Sequence, residues 1–146
     1  YQPGLLALRE GPLLEAAVRR LSILPDVLLV NATGRDHPRR AGLALHLGAV
    51  LDLPTVGVTE RPLLATGAVP DARRGASAPL HLENEVVAFW VRTRHGIRPV
   101  VAHAAWRTAP SVATEVVIAA TKKARTPEML RRARRAARAA RGNAGG

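Results

Sequence analysis

V-N-A-T-G-R-D-H-P-R-R-A-G-L, Val30 to Leu43, decides the fold of this 146-residue chain. It follows Val27-Leu28-Leu29-Val30, a short unbroken apolar run of the kind expected of a strand covered on both faces. After the loop, Leu43, Leu47 and Val50 recur at helical spacing, so a helix is expected from about Arg40 to Leu51. Leu53-Pro54 ends it, and Thr55-Val56-Gly57-Val58 reads as a second buried strand. Strand, helix and strand in this order form a βαβ unit with parallel strands and a right-handed crossover. The class is therefore α/β. Loops at the C-terminal ends of such strands are where ligands bind. Here Gly34 allows close backbone approach, and His37, Arg39 and Arg40 bring polar and positive groups to that edge. Phosphate suits those groups. A structural loop whose arginines solvate a helix start suits them too.

Upstream, Gly11-Pro12 is expected to start a helix running to Leu21, with Leu13, Leu14, Ala17, Val18 and Leu21 on its inner face. Downstream, residues 61–80 read as loop. Glu85 to Thr93 alternates like a strand, and His95-Gly96 signals a hairpin turn into an antiparallel partner over Ile97 to His103. Thr108 to Lys123 reads as a helix with Val112, Val116 and Val117 inward. Thr126-Pro127-Glu128 opens a last helix to about Arg138. Residues 1–141 are expected to form a single domain and 142–146 a flexible end. No internal repeat is visible.

Hydrophobic residues make up 47% of the chain, enough to build a core without staples, while aromatics are 3%. The absence of cysteine removes disulfides and thiolate metal sites and makes a cytoplasmic setting the expectation. No apolar run approaches the ~20 residues of a membrane span. The first residue is Tyr1 rather than Met, so a fragment of a longer chain is expected. The formal charge is +11, and the stretch from Lys122 to Arg141 holds nine basic residues against one acid, Glu128. Such a balance favours a polyanionic partner, DNA or RNA. A solvated, partly helical Arg/Ala tail fits the same composition.

Several segments in order resemble one family. Y-Q-P-G-L-L-A-L-R-E-G-P from Tyr1, P-D-V-L-L-V-N-A-T-G-R-D-H-P-R-R-A-G-L-A-L-H-L-G from Pro25, L-P-T-V-G-V-T-E-R-P-L from Leu53, V-V-A-F-W-V-R-T-R-H-G-I-R-P-V-V-A-H from Val86 and R-T-P-E-M-L from Arg125 are similar to segments of endonuclease V, the deoxyinosine 3′ endonucleases. The resemblance runs from Tyr1 to about Ala137. It implies an RNase H-like mixed sheet flanked by helices, here lacking the first strands. It also implies Mg²⁺-dependent cleavage of DNA or RNA 3′ to deoxyinosine or inosine, and a role in DNA repair. A monomer without a membrane anchor is expected.

Carried over residue by residue, the resemblance makes Glu10 the metal-binding acid of the R-E-G-P segment and Tyr1 the wedge that holds the strands open. Gly4 and the Ala32–Gly34 region fall on the lesion pocket, and His37 on the H-P-R-R histidine. The departures are as informative. The loop acid that ligates metal is Asn31 here, an amide. The lysine of the G-V-A-K segment is Glu60, and the histidine before the long helix is replaced at Trp106. The first-strand aspartate belongs to a segment preceding Tyr1. Mg²⁺ demands hard oxygen ligands, usually with one or two carboxylates. Glu10 supplies one and Asn31 only a neutral carbonyl, so a weak, incomplete site and little cleavage are expected. Asp36, in the same loop, is expected to cap or solvate it rather than replace the missing acid. Three readings result: an impaired endonuclease V homologue, a non-catalytic nucleic-acid-binding module, or a truncated, non-functional fragment.

Overall fold

The computed structural model describes residues 5–145. Its strands are β1 (Leu28–Val30), β2 (Thr55–Thr59), β3 (Ser77–Leu82), β4 (Glu85–Val91) and β5 (Val100–Ala104), in the spatial order β1-β2-β5-β4-β3. β1 and β2 are parallel, with Leu28, Leu29 and Val30 opposite Thr55, Val56 and Gly57; every other neighbouring pair is antiparallel. Four helices flank this mixed sheet: α1 (Leu6–Arg19), α2 (Leu43–Leu51), α3 (Pro110–Ala120) and α4 (Glu128–Ala144). Tyr1 and Gly4, expected at the wedge and the lesion pocket, lie outside the described residues.

Strand alternation assigns the two faces. Val56 and Val58 of β2 point with Val91, Val100 and Ala102 toward Ala113 and Val117 of α3. Val30 of β1 points the other way, into Leu43, Ala44 and Leu47 of α2. Leu28 joins the α2 side and Leu29 the α3 side, so β1 is covered on both faces as its apolar run requires. β1 is nonetheless an edge of the sheet among the described residues. A groove of about 440 Å³ runs beside it between α1 and α4, with Leu14, Val18, Leu28, Leu130 and Ala137 among its lining and Glu10 and Arg134 also on it.

Several expectations need correction. α1 begins at Leu6, so Pro12 sits inside the helix instead of starting it. Pro12 cannot donate to the Leu8 carbonyl, and it sits on an exposed turn of the helix, with Leu8 itself 70% exposed. The inner stripe is Ala7, Gly11 and Val18; Leu13 is 75% exposed and Leu21 also faces out. α2 starts three residues later than expected because Arg40 takes a positive φ of 56°. Leu51 rather than Val50 takes the inner place in its last turn. In α3, Ala113 replaces Val112 on the packed side. Residues 77–80, expected as loop, belong to β3 (Ser77–Leu82), an edge strand that pairs with β4 through a register shift at Leu80/His81. The β4–β5 pair forms as expected, but its connection is longer than a tight hairpin, running from Val91 to Val100 through Gly96 at φ 68°. α4 extends past Arg138 to Ala144. No described helix is long and apolar enough to cross a membrane.

Candidate functional site

The loop from Asn31 to Gly42 does not project from the sheet. It folds back across the face that carries Gly57. The amide of Arg35 donates to Ala104 O at 3.3 Å, the amide of Gly42 to Gly34 O at 2.8 Å, and the amide of Ala44 to Thr33 O at 3.1 Å. Two glycines permit this. A Cβ on Gly57 would collide with Ala32 O, and one on Gly34 with Ala104 O. Gly34 is thus buried by the approach of the loop to β5, instead of opening a space for ligand.

Asp36 pins the loop. It is completely buried, and its carboxylate accepts from the backbone amides of Leu63 at 2.6 Å, Leu64 at 2.8 Å and Ala65 at 2.8 Å. It therefore anchors the neighbouring 61–65 segment and is turned away from any ion site. His37 is also buried; its Nδ1 accepts from the amide of Arg39 at 3.1 Å, which leaves the ring proton on Nε2. Burial, then the charge of Arg39, lowers its pKa, with Asp36 opposing, so the ring is neutral at neutral pH. His37 lines a cavity of about 200 Å³ with Asn31, Thr33 and Thr59.

His103 of β5 lies behind the same face. Its Nε2 is 2.7 Å from Thr59 Oγ1, and the Thr59 hydroxyl donates to Arg61 O at 2.8 Å. The hydroxyl has one proton, so His103 carries its own on Nε2 and donates. Its Nδ1 is buried without a partner among the described residues. Burial pushes the pKa down to about 4, against the opposing charge of Asp36.

The decisive contact is at the end of β1. In the amide orientation that satisfies both neighbours, Asn31 donates to Val58 O at 3.1 Å and accepts from Arg134 Nη2 of α4 at 3.1 Å. Glu60 lies on the same small cleft, with Thr126, Arg131 and Arg134, and pairs with Arg125 at 3.4 Å. Glu10 is exposed and reaches the neighbouring groove that Asn31 and Arg134 also line. The structure therefore gathers Glu10, Asn31 and Glu60 near one end of the sheet. Trp106 is not among them. Its amide donates to Thr55 Oγ1 at the opposite end of β2, and Arg107 lies 5.9 Å over its ring. Arg40, expected to face nucleic acid, is held by Glu83 at 3.1 Å and Glu85 at 3.2 Å on the β3–β4 hairpin. Arg39 is exposed.

Arg134 and Arg125 are not recognisable as site residues in the sequence. The i, i+3 rhythm of the last helix shows a basic face, but which strand that face meets is a tertiary fact. With them in place, the donor set does not fit Mg²⁺. The amide oxygen at Asn31 faces a guanidinium, and no group of three or more His, Cys, Asp or Glu side chains converges among the described residues. A divalent ion and a guanidinium ~5 Å apart repel by roughly 2 kcal/mol in bulk water and ~7 kcal/mol at an effective dielectric of ~20.

Comparison with known proteins agrees with the fold. The family model described as Endonuclease V matches residues 1–135. The endonuclease V of Nocardia farcinica is 44% identical over 142 residues, 96% of this chain and 62% of that protein. That of Streptomyces coelicolor is 42% identical over 140 residues, 96% and 60% respectively. Among solved structures, endonuclease V from Streptomyces avermitilis superposes with a TM-score of 0.94 at 39% identity, covering 100% of this chain and 64% of that one. The catalytic domain of human endonuclease V gives 0.88 at 32% identity, covering 99% and 66%. The chain spans about three fifths of the length of the curated relatives it matches. The sheet is thus RNase H-like, and the chain belongs to the endonuclease V family.

Proposed function

We propose that this chain is an endonuclease V-like protein that retains nucleic-acid binding and has lost most or all metal-dependent cleavage 3′ to deoxyinosine or inosine. Residues 1–141 act as one domain, with Mg²⁺ held weakly or not at all. The observation that carries this reading is the Asn31–Arg134 contact, which puts a fixed cation against the position where the resemblance expects a metal-binding acid. Metal-assisted cleavage needs the ion to generate hydroxide and to neutralise developing charge. A neutral amide already bonded to a guanidinium supports neither step. Glu60 adds no ligand in compensation, because its carboxylate pairs with Arg125.

Binding is supported by charge placement. The nine basic residues from Lys122 to Arg141 are concentrated on and just before α4, a helix with no buried residue. A labelled single strand containing inosine, incubated with the chain in Mg²⁺ or Mn²⁺, tests both halves. It is expected to bind with steeply salt-dependent affinity and to be recovered uncut under single-turnover conditions. Metal-dependent nicking would overturn the loss of cleavage. Affinity that stays flat as salt rises would overturn binding through phosphates.

A further inference from the structure

Arg131, Arg134, Arg135 and Arg138 line one open cavity of about 290 Å³, together with Thr126. Their spacing of i, i+3, i+4 and i+7 places all four on one stripe of α4. The cavity shares Thr126, Arg131 and Arg134 with the small cleft of Asn31 and Glu60. The nearby acids are occupied: Glu128 pairs with Arg131 at 3.5 Å and Glu60 with Arg125 at 3.4 Å. Like charges at these helical spacings repel, and with Arg131 alone paired to a carboxylate, Arg134, Arg135 and Arg138 border the cavity with no acidic partner among the described residues. Planar guanidinium forks match tetrahedral oxyanions through paired N–H donors. Thr126 completes the lining.

We propose that this cavity is a phosphate seat that works without a metal ion, its arginines lying beside Asn31, the position where the family resemblance expects a metal-binding acid. Its ligand is a phosphate group, either a diester of a nucleic-acid backbone or a free phosphate. The backbone form rests on the nucleic-acid reading above; the seat itself does not.

The test uses the full chain in EDTA, with inorganic phosphate followed by calorimetry and a labelled oligothymidylate followed by anisotropy. R134Q/R138Q is compared with R20Q/R73Q, which removes equal charge from exposed positions away from the cavity. α4 contributes no buried residue, so matched unfolding midpoints should verify that the fold survives. The expected result is phosphate binding by the parent and by R20Q/R73Q, weakened by about tenfold or more in R134Q/R138Q, with phosphate displacing the oligonucleotide. Equal phosphate affinity in the two double variants, no phosphate binding by the parent, or a requirement for Mg²⁺ would overturn the seat. Salt-sensitive oligonucleotide binding that ignores R134Q/R138Q overturns it as the backbone site while the function proposed above stands. Phosphate binding lost in R134Q/R138Q, with no oligonucleotide bound by the parent, supports the seat for free phosphate and removes the nucleic-acid reading.

Discussion

Replacing Asp36 with asparagine should weaken the whole site region without touching a ligand-facing atom. The carboxylate is completely buried and accepts three backbone N–H groups, two on one oxygen and one on the other. An amide keeps one oxygen for Leu64 and Ala65 but turns an NH₂ toward the amide of Leu63. One charge-assisted bond is then replaced by two opposed donors, a loss of about 1.5–3 kcal/mol. The other two bonds fall from charge-assisted to neutral strength, roughly another 1–2 kcal/mol together. The sum is about 3–5 kcal/mol, a large share of the roughly 5–15 kcal/mol that holds a typical domain. Urea unfolding followed by circular dichroism gives the total. Amide hydrogen exchange should locate the loss at residues 63–65 and the 31–42 loop. A destabilisation below about 1 kcal/mol, with unchanged exchange at Leu63, would refute the reasoning, because three buried N–H bonds cannot be weakened so cheaply.

Three further outcomes follow from the same geometry. The buried His103 has a folded pKa near 4 against 6.5 unfolded, so its neutral form stabilises the fold fully above pH 6.5. That contribution drains as pH falls from 6.5 toward 4, by up to about 3 kcal/mol, and the pH slope of unfolding free energy over this window should flatten in His103→Gln; equal slopes would contradict it. Gly57→Ala should cost about 3 kcal/mol or more, because its Cβ meets Ala32 O in a loop held at several points; a thermal midpoint within a degree of the parent would show that the loop moves freely. Changing Arg131, Arg132, Arg134, Arg135, Arg138 and Arg141 together to glutamine should cut oligonucleotide affinity and reduce the salt slope by roughly 0.7 for each phosphate no longer neutralised; an unchanged slope would place the phosphates against another part of the surface.

The sequence made the βαβ unit legible because V-L-L-V and T-V-G-V are short, nearly continuous apolar runs bounded by Pro25-Asp26 and Leu53-Pro54, as strands covered on both faces are. β3 is hidden by Pro79, which argues against a central strand; its place at the sheet edge, with β4 as its one neighbouring strand among the described residues and only a bridge to Thr66 on its other side, is where a proline is tolerated. The start of α1 was hidden in the same manner by Gly11-Pro12, since propensity favours a proline at a first turn over one placed six residues in. At the site, the substitution at Asn31 was legible, but its meaning was not. The partner is Arg134, over a hundred residues away, and one arginine of α4 looks like the next until the helix is docked. The same gap applies to Trp106 and Arg40. Neighbours in sequence do not place either one; the register of β5 and the acids of the β3–β4 hairpin decide where they lie.

The central claim is that the end of β1 is a cationic place and not a cation-binding one. Titrating Mn²⁺ into the chain and counting the free ion by electron paramagnetic resonance tests it directly, beside Asn31→Asp and Asn31→Asp/Arg134→Gln. The parent should leave Mn²⁺ free, the single change should gain little because Arg134 neutralises the new acid, and the double change should tighten binding by about tenfold or more. Mn²⁺ held by the parent as tightly as by the double variant would contradict the claim.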